Sequence, residues 1–181
     1  MNFTPEQRLI VGLLCDIHQK LEIQDSFDSE LIADAIQTEN EWAIDLQYGQ
    51  TLGSEITDHR FEFIGNVLDM CEIIESVYAN LNPQGQQTVI AGTIFDASRA
   101  FDGFDGNNES EYMSAARFLV KKMGRFANFE GRDFNSHAPS VDGYKRMLEA
   151  FNRVREPYTR RLTAEQIVEI MNERIHPSNR K

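Results

Sequence analysis

Cysteine is scarce in this chain of 181 residues: Cys15 and Cys71 stand far apart, and neither begins a Cys-x-x-Cys pair. That argues against a disulfide framework or a four-thiolate zinc site, and both thiols are expected in the core. No stretch approaches the roughly 18 apolar residues that span a bilayer. The first residues, Met1-Asn2-Phe3-Thr4-Pro5-Glu6-Gln7, lack the basic and long apolar regions of a signal peptide. A cytoplasmic protein without a membrane partner is expected. Also missing are a phosphate-binding glycine motif, a Gly-x-Ser-x-Gly elbow, a kinase signature set and His-Glu-x-x-His. No cofactor is expected.

Basic charge is scarce in one half only. Residues 1–80 hold 16 acidic and 3 basic side chains, a balance of -13, whereas residues 81–181 hold 13 and 15, a balance of +2. Within residues 117–161 the count is 11 basic against 5 acidic. Such runs commonly form solvated helix faces. The sharper reading is attraction between the acidic part of one subunit and the basic part of another, or a basic partner.

What the chain has is helical periodicity. Thr4, Pro5 and Gln7 form a helix start of capping-box type, and Leu9, Ile10, Leu13, Leu14, Ile17 and Leu21 then recur at spacings of three and four. Amphipathic rods of this kind are expected to bury their apolar sides together. Leu31, Ile32, Ala35 and Ile36 repeat the period, and the segment carrying Trp42, Ile44, Leu46 and Tyr48 is read as helix. From about 55 to 81, Phe61, Ile64, Val67, Leu68, Cys71, Ile74, Tyr78 and Leu81 mark a long central helix that touches neighbours on more than one side. Asn82 and Pro83 suit the start of a short helix. Thr88 to Phe95 has strand propensity, but a lone strand has nothing to pair with, so helix or loop is expected. Asn108 and Glu111 predict the cap of the next helix, Tyr144 to Val154 another that ends before Pro157, and Thr163 with Gln166 a last capping box stapled by Leu162 onto Ile167. The fold class is therefore all-α: a compact multi-helix bundle with a long central helix and short connecting ones. It is read as one domain, 1–181, divisible into packed halves 1–81 and 82–176, with 177–181 a tail.

Two aromatics, two carboxylates and a glycine crowd into Phe101, Asp102, Gly103, Phe104 and Asp105, which suggests a sterically exacting turn. Asp105 is read as a structural carboxylate, with Gly103 and Gly106 supplying unusual backbone angles. Phe126, Phe129 and Phe134 suggest a loop pinned to the core. Four other groupings carry chemical readings. Arg132 and His137 have the spacing of the Arg-x4-His motif of HEPN-type ribonucleases, in which the arginine stabilises phosphate charge and the histidine moves a proton. Glu55, Asp58, His59 and Glu62 would share a helical face, yet solvation explains them more cheaply than a metal does. Cys15 and His18 make at most half a zinc site, and no metal is expected. Arg153, Arg155, Arg160 and Arg161 form a basic cluster, for which pairing with the chain's own acidic helices is favoured over nucleic acid.

Gly103-Phe104-Asp105 followed by Glu109 or Glu111 and Tyr112, Arg117-Phe118, Gly124-Arg125-Phe126, Phe134-Asn135, and Tyr144 with Arg146-Met147-Leu148 resemble markers of the YfbU family. The resemblance implies a bacterial, intracellular, almost wholly helical protein whose biochemical activity is unassigned. The function expected is a soluble interaction or regulatory module, more non-enzymatic than enzymatic, associating with itself or a protein partner. Its expected binding surface comprises Phe101, Asp102, Gly103, Phe104, Asp105, Tyr112, Arg117, Arg125 and Phe126. The alternative is a metal-independent ribonuclease using Arg132 and His137.

Overall fold

Thr4 opens the first helix as its spacing requires. Its hydroxyl oxygen accepts from the Gln7 N–H at 3.3 Å, while Gln7 Oε1 accepts from the Thr4 N–H at 2.9 Å. The architecture comes from a computed structural model, which describes residues 3–156 and 159–179. Among these, eight α-helices form: α1 Pro5–Lys20, α2 Ser29–Gln37, α3 Trp42–Leu52, α4 His59–Asn80, α5 Pro83–Gly92, α6 Ser110–Lys121, α7 Val141–Val154 and α8 Ala164–Asn172. Short 3-10 turns occur at Ala97–Arg99, Ala127–Phe129 and Pro177–Asn179. The fold is all-α, and an isolated parallel bridge joins Phe104 to Asn135.

α4 is the centre. Ile64, Val67, Leu68, Met70, Cys71, Ile73 and Ile74 are buried around it, and it packs against α6, α7, α8 and the Ala97–Arg99 turn. It begins later than its apolar spacing suggests because Asp58 is its N-cap: Asp58 Oδ1 accepts from the Arg60 N–H at 2.9 Å. α5 starts where Asn82 and Pro83 place it, with Asn82 Oδ1 accepting from the Gly85 N–H at 2.8 Å. The strand-like run beyond it is helix as far as Gly92 and loop after that. α8 opens on the expected box, Thr163 with Gln166, and both Leu162 and Ile167 are buried.

Some local expectations fail. Asn108 does not cap α6; the N-cap position is Glu109, and the Asn108 amide donates to Asp105 instead. α7 ends at Val154, and Pro157 lies outside the described residues. Pro177–Asn179 forms a 3-10 turn, with Arg180 and Lys181 outside the described residues. The largest departure concerns α1. It packs on α2 through its opposite side, burying Cys15, so its apolar stripe faces outward, away from the core.

Candidate interaction site

The 101–105 turn is held from two directions. The Phe104 N–H donates to the Phe134 carbonyl at 2.9 Å, and the Ser136 N–H donates to the Phe104 carbonyl at 3.1 Å. Gly103 adopts φ +96°, and a Cβ there would stand 2.3 Å from the Phe134 carbonyl oxygen. Only glycine meets both demands. Gly106 has no left-handed backbone, contrary to expectation; a Cβ there would stand 2.9 Å from the Asn135 side-chain nitrogen, which would have to shift. Phe101 touches Phe104, Phe129, Phe134 and Tyr144 at ring separations of 5.3–6.0 Å, an aromatic cluster inside the protein. The Tyr144 hydroxyl oxygen accepts from the Asp102 N–H at 3.0 Å, and burial pushes its phenol well above the ordinary value.

Two carboxylates complete the clamp. Asp105 accepts from the Asn107 N–H and the Asn108 amide, which hold its pKa below the usual carboxylate range and bear out the structural reading. Glu109 accepts from the N–H groups of Asp105, Ser140 and Val141 and from the Ser140 hydroxyl, at 2.9–3.0 Å. It therefore occupies the N-terminus of α7 with the chain's own negative charge.

These bonds correct the expected surface. Phe101, Gly103, Phe104 and Asp105 are buried, so the turn is a piece of interior scaffolding and no partner reaches its rings. Asp102 pairs with Arg174 at 2.6 Å. Tyr112 is half-buried, packed against Phe63 and Phe104. Phe126 is half-buried at φ +54°; Arg117 and Arg125 are exposed. The loop expectation fares better: Phe129 and Phe134 are fully inside.

Arg132 is spent on structure. Its guanidinium meets both oxygens of Glu75 on α4, at 2.9 and 2.6 Å, and lies over the Phe129 ring. The Glu75 hydrogen bonds raise its pKa further. His137 sits on an exposed loop at φ +55°, and its nearest acidic group is Asp133 at 4.0 Å. The ribonuclease reading gains no support from this arrangement. Glu55 and Asp58 precede α4, so the four-residue acidic face does not form; the Arg60 side chain grips the Asp58 carboxylate and lowers its pKa. Among the described residues, no three His, Cys, Asp or Glu side chains gather as a metal cluster. Cys15 and Cys71 are buried, and burial raises both thiol pKa values. In the basic cluster, Arg160 reaches Asp69 and Glu72 of α4, at 3.5 and 3.4 Å, and Arg153 reaches Glu169 at 2.6 Å. Pairing with the acidic half is thus seen for Arg160.

What sequence reasoning missed is the outer face of α1. Leu9, Ile10, Leu13, Leu14, Ile17 and Leu21 are each 53–67% exposed, and Ile23 and Phe27 extend the patch beyond the helix. The signal was present: Val11, Cys15 and His18 provide a second, inward face, and a helix apolar on two sides has two neighbours to satisfy.

The YfbU domain family pattern matches residues 1–173. UPF0304 protein MJECS11 of Methanocaldococcus jannaschii is 29% identical over 134 residues, covering 69% of this chain and 76% of the relative. No described helix is long and apolar enough to cross a membrane.

Proposed function

We propose that this chain, which belongs to the YfbU family, is a non-enzymatic interaction module that works by associating with a second copy of itself. The outward apolar face of α1 carries the proposal. Together with Ile23 and Phe27 its side chains expose on the order of 800 Å², more than monomers ordinarily leave in one patch and about what each partner contributes to a standard interface.

Charge selects the occupant. α1 itself is neutral, Glu6 and Asp16 against Arg8 and Lys20, whereas residues 21–80 carry 14 acidic side chains and one basic. A basic partner would be drawn to that acidic remainder and not to α1, and an acidic one would be repelled. The α1 of another copy offers an equally neutral apolar helix at the point of contact, and the repulsion between the two acidic remainders opposes that contact only as far as salt leaves it unscreened. Several arginines elsewhere are engaged with carboxylates, Arg132 with Glu75, Arg160 with Glu72 and Arg174 with Asp102. This supports surface work over reaction chemistry.

Two copies carrying different affinity tags test the reading when co-expressed. Wild-type copies are expected to purify together, whereas a copy carrying Leu13→Glu and Ile17→Glu is expected to emerge alone with an unchanged helical spectrum. Wild-type copies that never co-purify would overturn it.

A further inference from the structure

We infer that the cleft between the 95–102 segment, the 135–140 loop, α7 and the segment after α8 is a binding site for a small phosphate-bearing molecule. It lies apart from the α1 face and stands on different observations. The cleft encloses about 680 Å³, a volume typical of ligand pockets, and arginines 99, 146 and 174 line it together with Phe95 and His176.

The three arginines differ in what they have left to offer. Arg174 is already neutralised by Asp102 at 2.6 Å, and its guanidinium lies 4.6 Å from the centre of the Phe95 ring. That stacking and pairing fix one wall. Arg146 donates through Nε and Nη2 to the carbonyls of Glu173 and Arg174, at 2.9 and 3.0 Å, so its head is immobilised, and it makes no ion pair among the described residues. Arg99 is exposed at the rim and makes no ion pair among the described residues. Two guanidinium groups without an ion pair, on separate elements, therefore face one volume. A dianionic head matches that count, and the planar arginine forks match phosphate oxygens. Phe95 offers an apolar wall for the body of an ester. The N-terminus of α7, which borders the cleft, plays no part, because Glu109 already occupies it. Asp142, also on the wall, has Lys145 at 3.3 Å.

The pocket also explains why so exacting a turn is built without being a surface. By fixing Asp102 and through it Arg174, the 101–105 turn sets that wall of the cleft.

Thermal unfolding and calorimetry with inorganic phosphate, against chloride at equal ionic strength, test the assignment. Phosphate is expected to raise the wild-type midpoint saturably, because it binds the folded state alone. Arg99→Gln removes a charge without breaking an internal contact, so its midpoint without phosphate should match the wild type while its phosphate affinity falls about tenfold. Arg161→Gln, remote from the cleft, should bind as the wild type does. No saturable response, an undiminished response in Arg99→Gln, or tighter binding of succinate than of phosphate would overturn the assignment.

Discussion

Both carboxylate oxygens of Glu109 close on the backbone N–H of Ser140, at 2.9 and 3.0 Å, tying the N-cap position of α6 to the N-cap position of α7 across 31 residues of chain. The same carboxylate also serves the N–H groups of Asp105 and Val141. Glu109→Ala would leave buried donors without an acceptor, at about 1–3 kcal/mol each, so a loss of about 3–5 kcal/mol is expected. Glu109→Gln keeps one acceptor but turns an NH2 group toward donors, and should cost about 2 kcal/mol. Urea denaturation of the two variants checks the order.

Gly103 and Gly131 both have positive φ, at +96° and +77°, but only Gly103 has a neighbour in the way of a Cβ. Gly131→Ala meets the backbone penalty alone and should cost about 1 kcal/mol. Gly103→Ala adds a clash with the Phe134 carbonyl and should cost about 3 kcal/mol or more, or prevent folding. Unfolding midpoints of the pair provide the check.

Arg132 and Glu75 are expected to behave as one structural unit. Arg132→Ala leaves a carboxylate that is only 11% exposed without its cation. A double-mutant cycle with Glu75→Gln should show about 1–2 kcal/mol of coupling in stability. A value near zero would return Arg132 to the list of free functional groups.

Acid should weaken the fold through Asp58 and Asp105, whose pKa values are held low by Arg60 and by the Asn107 and Asn108 donors respectively. A depressed folded value means that the stabilisation is complete above the unfolded pKa near 4 and is lost as pH falls through the folded value. Asp105→Asn should therefore be less stable than the wild type at neutral pH and lose less on acidification. Thermal midpoints measured from about pH 7 down to about pH 3 would show the two curves converging.

Helix starts were legible where their causes are local. Thr4 with Gln7, Asn82 with Gly85 and Thr163 with Gln166 each close within three residues. Asn108 misled because its side chain is turned to Asp105, three residues before it, to which its amide NH2 donates, and the helix opens one residue later, at Glu109. The 101–105 turn was recognisable as a built element, yet its orientation depends on Phe134 and Tyr144, whose approach no local pattern encodes. α1 was read correctly as a helix and incorrectly as core. Periodicity reports that a face is apolar, not whether the covering surface belongs to the same chain. The Arg132 and His137 spacing matched a motif, but the long-range contact with Glu75 determines what the arginine does.

The mass in solution tests the central claim most directly. Light scattering is expected to give twice the chain mass of 20.8 kDa. The dimer should tighten as added salt screens the acidic halves from each other, and the Leu13→Glu, Ile17→Glu variant should fall to a single chain. A wild-type mass of one chain at every concentration and salt level would contradict the account.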